Sequence, residues 1–130
     1  MNEEALDDLE ARGTFVEYRQ EFITREDETV SFFAFVVHGS VDITKVMPST
    51  GREAILASLV SGQCFGEMSL LLGAPASANV VARETAVTWV IRHSVLRHYF
   101  CTNAEGGKMM ANIAALLAQR LVQTNQRLVA

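Results

Sequence analysis

Residues 64–78 read Cys-Phe-Gly-Glu-Met-Ser-Leu-Leu-Leu-Gly-Ala-Pro-Ala-Ser-Ala, and this stretch decides the fold. Gly66 allows the backbone to approach a ligand closely, because glycine has no Cβ. The run from Glu67 to Leu72 predicts a short helical turn, whose first N–H groups have no partner within the helix and can face an anion. Glu67 is a single carboxylate in an apolar segment, where an unpaired charge is costly. The stretch therefore predicts a buried anion site.

This stretch resembles the phosphate-binding cassette of cyclic nucleotide-binding domains, which occur in the catabolite activator protein family, in protein kinase A regulatory subunits and in gated channels. The family pattern is Phe-Gly-Glu-Leu-(Ala/Ser)-Leu-Leu, a short loop, and then Pro-Arg-(Ser/Thr)-Ala. The positions that match are Phe65, Gly66, Glu67, Ser69, Leu70, Leu71, Pro75, Ser77 and Ala78. Ala76 stands where the family has the arginine that pairs with the cyclic phosphate. The resemblance thus indicates the fold more firmly than the ligand.

Length and charge restrict the function classes. A chain of 130 residues predicts a single domain, spanning residues 1–130. Residues 1–12 carry five acidic side chains and one basic one, which accounts for the net charge of −4. The remainder has no basic stripe, so we expect no direct contact with nucleic acid. The apolar runs are too short to cross a bilayer, and the acidic N-terminus is unlike a secretory signal, so we expect a cytoplasmic protein.

Most of the chain has the pattern of short β-strands. An acidic helix is predicted within residues 1–12, and a β-roll is predicted over residues 13–92. The expected strands are Phe15–Tyr18, Glu21–Thr24, Val30–Val37, Val41–Met47, Glu53–Val60, Ala78–Ala82 and Ala86–Arg92. Residues 48–51 have good hairpin-turn chemistry. The predicted fold is mainly β with flanking helices, and the resemblance implies an eight-stranded jelly-roll β-roll.

The resemblance also extends to the turn glycines. Gly39 and Gly62 fall where the family places glycines. Two other family glycines are absent, and Gln20 and the segment 25–28 stand there instead.

Residues 93–130 predict helices, the last of which is long and spans residues 108–130. Its seam of apolar positions is spaced alternately by four and three residues: Met110, Ala114, Leu117, Leu121, Thr124 and Leu128. This spacing fits a helix that packs only on its own β-roll, and it also fits a two-fold coiled coil. A second apolar stripe, Ile113 and Leu116, favours the coiled coil and hence a homodimer. In the catabolite activator branch the terminal helix is the dimer interface. Transcription regulators of that branch need a helix-turn-helix, and we expect this domain to be without one.

The resemblance implies a role for each cassette residue. Glu67 would accept a hydrogen bond from the ribose 2′-hydroxyl, although capping of the helical turn is an alternative. The phosphate would meet the N–H groups of residues 66–69 and the Ser77 hydroxyl. Because Ala76 removes a charge-assisted pair, binding of cyclic AMP or cyclic GMP is expected to weaken by about 2–3 kcal/mol. The pocket can equally be adapted to a less charged ligand, or bind nothing.

Other basic and polar residues are candidates for compensation. Arg83 is a candidate replacement for the missing arginine, and a solvated surface position is its alternative. Arg120 is predicted to pair with Glu67, and a surface role is its alternative. Thr124 and Asn125 match the place from which relatives read the base, and both also suit a coiled coil. The full predicted ligand-binding set is Gly66, Glu67, Met68, Ser69, Ala76, Ser77, Ala78, Arg120, Thr124 and Asn125.

Enzymatic and metal-dependent alternatives find little support. A cupin would need several histidines in the β region, and His38 is the one found there. Haem binding through His38 or Cys64 is a further alternative to a structural role. Cys64 and Cys101 have no metal-like spacing, and two buried thiols are the simpler interpretation.

The sequence therefore predicts a non-enzymatic regulatory domain without a metal or a resident cofactor. Its ligand would be a small molecule of the cyclic nucleotide type, and its signal would pass through a dimer helix. Two alternatives remain open. One is a dimerisation module that binds no nucleotide, and the other is the ligand domain of a truncated transcription regulator.

Overall fold

The computed structural model describes the backbone of residues 3–99, and the side chains of residues 7–97 apart from those of Glu67, Met68 and Leu71. Its elements, in chain order, are α1 (Glu3–Arg12), β1 (Thr14–Thr24), β2 (Phe32–His38), β3 (Ser40–Val46), β4 (Glu53–Val60), β5 (Cys64–Phe65), α2 (Glu67–Leu72), β6 (Asn79–Arg92) and α3 (His93–Tyr99). The predicted helix 108–130 lies outside the described residues. The described part is mainly β.

One long strand, β6, organises the sheet. Its first residues pair with β3, and its last residues pair with β2, both antiparallel. β1 pairs with β6 over nearly its whole length on the other edge. The sheet order is β4-β3-β6-β2-β5, with β1 off this path. Because β2 and β3 pair with different halves of β6, the sheet curls around an interior.

The core lies on both faces of β2, a strand buried from Phe33 to Val37. Since side chains alternate across a strand, one set faces the helices and the other faces the interior of the roll. Phe33, Phe35 and Val37 pack with Trp89 and with residues of α1 and α3. Ala34 and Val36 belong to a second cluster, which includes Phe65 and Val80. The interior cluster is therefore continuous with the strand that leads into the cassette.

Two predicted strand breaks are absent from the structure. The separate segments Phe15–Tyr18 and Glu21–Thr24 form the single strand β1, and the segments on either side of Arg83 form the single strand β6. Both apparent gaps contain exposed polar residues, and the register of β1 with β6 shifts there, leaving Gln20, Arg83 and Glu84 unpaired, but each strand continues beyond the irregularity. The described residues therefore form six strands rather than the expected eight.

The backbone is left-handed at two of the expected turn glycines and at two positions where the family glycine is replaced. Gly39 and Gly62 have φ of 75° and 92°. Gln20 and Asp27, which replace the other two, also have positive φ, 49° and 69°. Gln20 lies where the register between β1 and β6 shifts. The fold thus retains these four backbone bends even where glycine is absent.

Candidate functional site

The cassette begins at a glycine whose position excludes any other residue. Gly66 follows β5 and precedes α2, with φ 92° and ψ −1°. A Cβ at this position would lie 2.5 Å from the carbonyl oxygen of Phe32, in the strand that pairs with β5. A side chain would therefore force the cassette away from β2. The close approach predicted for Gly66 is present, although the described partner is the protein's own backbone.

The helical turn predicted after Gly66 is present as α2. The N–H of Leu70 donates to the carbonyl oxygen of Gly66 over 3.3 Å, and the N–H of Gly73 donates to that of Ser69 over 2.9 Å. Gly73 ends the helix in a left-handed conformation, with φ 68°. The backbone of Glu67 and Met68 lies in the first turn of this helix.

The side chain of His93 forms a hydrogen bond with the carbonyl oxygen of Gly66. Its Nε2 lies 3.2 Å from that oxygen, to which it donates in the corresponding tautomer, and its side chain is buried. Burial lowers the pKa of His93, and nearby Arg97 lowers it further, while the bond to Gly66 partly opposes the shift. His93 is also the first residue of α3, so it joins this helix directly to the cassette.

Ala76 occupies the position of the missing arginine on a firmly held backbone. Its N–H donates to the carbonyl oxygen of Glu28 over 2.9 Å, and its own carbonyl accepts from the N–H of Asp27 over 2.8 Å. The side chain of Asn79 accepts from the N–H of Glu26 over 2.8 Å and holds the same loop. The loop after β1 and the loop after α2 therefore form one unit, in which the backbone of Ala76 is held on both sides.

A cavity of about 310 Å³ lies between this unit and the inner face of the sheet. Its wall is mostly apolar. It is lined by Thr24, Val30, Ile43, Leu59, Cys64, Phe65, Gly66, Ser69, Leu72, Ala74, Pro75, Ala76, Ser77, Ala78 and Val80. These lining residues include no charged side chain. A bound phosphate would thus find hydroxyl and backbone groups here, but no cationic partner among the described residues of the wall.

The structure brings five predicted site residues together in this wall: Gly66, Ser69, Ala76, Ser77 and Ala78. The side chains of Glu67 and Met68, and all of Arg120, Thr124 and Asn125, lie outside what the structure describes. Their roles stay predictions.

The wall also contains residues that the sequence analysis did not identify. Thr24, Val30, Ile43, Leu59 and Val80 come from the strands and their ends. Their sequence pattern is that of ordinary strand residues. Only the pairing of distant strands brings them to the cassette, so no local signal marks them.

Arg83 is not a substitute for the missing arginine. Its guanidinium pairs with the carboxylates of Asp42 and Glu53, on the neighbouring strands β3 and β4. It is absent from the cavity wall. The solvated alternative considered for Arg83 is therefore the correct one.

Two other arginines border the cassette on its far side. Arg92 and Arg97 line a second cavity of about 900 Å³, which shares Val30, Ser69, Ala74 and Pro75 with the first. The wall of this second cavity is charged, since it contains these two arginines and Asp27. Arg92 and Arg97 are therefore not among the residues that line the apolar cavity.

The candidate haem ligands lie in different places. His38 is exposed at the end of β2, and Cys64 is a half-buried cysteine in the cavity wall. Among the described residues, no three histidine, cysteine or acidic side chains form a group that could hold a metal ion. Within the same residues, no helix has both the length and the apolar character that a membrane span requires.

Known proteins resemble this chain in sequence and in fold. The cyclic nucleotide-binding domain family matches residues 18–103 of the chain. Human cGMP-dependent protein kinase 2 is 31% identical over 78 residues, which cover 58% of this chain and 10% of the kinase. The chain thus matches about a tenth of the length of this curated relative and of its mouse and rat counterparts.

Solved structures extend the likeness to the whole chain. The catabolite activator protein of Thermus thermophilus is 27% identical, with a TM-score of 0.68, over 98% of this chain and 59% of that one. The N-terminal domain of a transcriptional regulator from Streptomyces coelicolor A3(2) is 24% identical, with a TM-score of 0.70, over 100% of this chain and 89% of that one. At 24% identity, the likeness to the Streptomyces coelicolor domain shows a similar fold and nothing further.

Proposed function

The chain belongs to the cyclic nucleotide-binding domain family, and we propose that it is a regulatory ligand-binding domain with a weakened phosphate site. The cavity beside Gly66 would receive a cyclic nucleotide. Glu67 would accept a hydrogen bond from the ribose, and Ser77 and the backbone of residues 66–69 would face the phosphate. The observation that carries the proposal is the intact cassette geometry around an alanine at residue 76.

Two features support a weakened rather than a lost site. The backbone of Ala76 is held by hydrogen bonds in both directions, which supports an ordered cassette in the absence of a guanidinium. The described cavity wall contains no charged side chain to replace the guanidinium. A bidentate arginine pair with phosphate is a strong charge-assisted contact, and no neutral group reproduces it. Cyclic nucleotides should therefore bind, but with reduced affinity.

The test is calorimetric titration of the full chain with cyclic AMP and cyclic GMP. We expect saturable heat for one or both, abolished by Glu67→Ala. Ala76→Arg should increase the affinity by about 10- to 100-fold, because it restores the ion pair at a position whose backbone is already fixed. The matched control is Ala11→Arg, which adds the same charge on α1, at an exposed residue outside the cavity wall.

The proposal fails if neither nucleotide binds to the wild-type chain, whether or not the Ala76→Arg variant binds. An equal gain from Ala11→Arg would also contradict it, because the effect would then be general electrostatic attraction and not a specific contact.

We further propose that ligand binding changes the packing of the C-terminal helices and so biases two states of a dimer. The contact between His93 and the Gly66 carbonyl supports this route, because it joins the cassette to the first residue of α3. Arg120, Thr124 and Asn125 would connect the long helix to the pocket.

One observation favours a second candidate function. A described cavity wall without a charged side chain also suits a domain that has stopped binding nucleotides and serves as a dimerisation scaffold. Under this alternative the wild-type chain binds neither nucleotide, while Ala76→Arg alone restores binding.

A further inference from the structure

The second cavity is built from three segments of the chain. Its wall is formed by residues of the loop 27–31, of the cassette and of the segment 92–97, where β6 passes into α3. Its volume of about 900 Å³ lies within the range of cavities that hold small molecules. The cyclic nucleotide site proposed above uses neither Arg92 nor Arg97, so the proposed function leaves this cavity without a role.

Two arginines of this wall carry charges that the described residues do not balance. Arg92 and Arg97 are exposed, and neither forms an ion pair or a side-chain hydrogen bond with another described residue. By contrast, Arg12 pairs with Asp8, and Arg83 pairs with Glu53. Two positive charges in the wall of one cavity repel each other, and an anion placed between them removes that cost.

Backbone pairing places hydroxyl residues beside Arg92. Phe32 and Arg92 form the terminal pair between β2 and β6. One residue further, the N–H of His93 donates to the carbonyl oxygen of Ser31 over 2.8 Å. Ser31 and Ser94 both line the cavity and are exposed, so they flank the junction at which the chain leaves the sheet.

The other titratable groups of the wall leave it with a net positive charge. Burial lowers the pKa of His93, and the nearby charge of Arg97 lowers it further, so His93 is neutral at pH 7. Its Nε2 is already engaged by the carbonyl oxygen of Gly66. Asp27 is the one acidic residue among those described in the wall, and it balances only one of the two arginines.

This arrangement favours a phosphate over a carboxylate. A guanidinium presents its N–H donors in a planar fork that matches phosphate oxygens, and two such groups can balance the charge of close to −2 on a phosphate monoester. A carboxylate carries one charge on two oxygens. The later part of the chain offers little competition, since residues 98–130 contain one acidic side chain, that of Glu105.

We propose that Arg92 and Arg97 bind the phosphate group of a small phosphorylated molecule in the second cavity, with Ser31 and Ser94 beside them as further hydrogen-bonding residues. Neither arginine lines the cavity proposed for cyclic nucleotides. The inference therefore goes beyond the proposed function and does not depend on it.

The test is calorimetric titration of the full chain with glycerol phosphate, a small phosphate monoester, and with acetate, both at constant ionic strength. We expect saturable binding of glycerol phosphate and much weaker binding of acetate. Changing Arg92 and Arg97 together to Gln should weaken the binding of glycerol phosphate by about 10-fold or more, because two charge-assisted contacts are lost. The matched control changes Arg19 and Arg52 to Gln, which removes the same charge at exposed residues outside both cavities.

Both double variants should keep the melting temperature of the wild-type chain within a few degrees, because all four arginines are exposed. The inference is overturned if glycerol phosphate does not bind to the wild-type chain, if acetate binds equally well, or if the control loses as much affinity as the double variant of Arg92 and Arg97. Binding that appears only after Glu105→Gln would also overturn it, because the arginines would then be partners of a carboxylate of the chain itself.

Discussion

Gly66 meets two separate demands at a single residue. Its φ of 92° is one that side chains rarely adopt, and its hydrogen atoms face the Phe32 carbonyl at a distance that leaves no room for a Cβ. Gly51 has a similar φ, 66°, but no atom lies within 4 Å of its hypothetical Cβ. A substitution at Gly66 therefore causes both backbone strain and steric overlap, whereas a substitution at Gly51 causes backbone strain alone.

Gly66→Ala should lower the free energy of unfolding by about 3 kcal/mol or more, because left-handed strain and overlap with backbone add together. Gly51→Ala should lower it by about 1 kcal/mol, from strain alone. Urea denaturation of both variants measures the difference. Equal losses would show that the contact between Gly66 and Phe32 is not close in solution.

Among the elements, α3 and the cassette are linked by one buried imidazole. His93 begins α3, and its ring reaches the carbonyl oxygen of Gly66 over 3.2 Å. Since burial lowers the pKa of His93 in the folded state, the imidazole of His93 is protonated more readily in the unfolded chain. The contribution of neutral His93 to the free energy of unfolding is fully present above the ordinary histidine pKa of about 6.5, and it is lost as the pH falls below that value.

We expect the melting temperature to fall between pH 7.5 and pH 5.5, and to fall less in His93→Gln, which cannot be protonated but can still donate a hydrogen bond. Carboxylates also titrate in acid, so the informative quantity is the difference between the two proteins at each pH. A constant difference across this range would contradict the role assigned to His93.

At the scale of the whole molecule, the described residues leave apolar surface uncovered. Ile55 and Leu56 on β4 are 61% and 57% exposed, and Val60 at the end of the same strand is 52% exposed. β4 is the last strand of the sheet order, so one of its edges lacks a neighbouring strand among the described residues. Exposed apolar groups of this kind are compatible with association.

The dimer proposed from the seam of residues 108–130 can be tested without reference to any ligand. Changing Leu117 and Leu121 together to Asp should weaken self-association by more than about 100-fold, because the proposed apolar seam would then have to bury charges. The matched control changes Gln119 and Gln126 to Asp, which adds equal charge away from the seam. Sedimentation equilibrium at two concentrations measures both variants. Equal behaviour of the two would refute the coiled coil.

Local chemistry made the cassette predictable. Gly66, the helical turn from Glu67 to Leu72 and the replaced arginine at residue 76 are contiguous, so their pattern is readable without a fold. The strand breaks were less predictable, because exposed polar residues such as Arg83 imitate loops when only hydrophobic alternation is considered. The strands nevertheless continue past these residues, because β1 and β6 pair again on both sides of the register shift at Gln20, Arg83 and Glu84.

The sequence by itself determined the family, the mainly β fold and the absence of an arginine at residue 76. It could do so because these properties depend on neighbouring residues and on short-range periodicity. The tertiary structure alone decided that Arg83 pairs with carboxylates of β3 and β4, that His93 holds the Gly66 carbonyl, and that Thr24 lines the cavity. These contacts join residues 27 or more positions apart along the chain, or depend on a shift of strand register, and no local pattern encodes either.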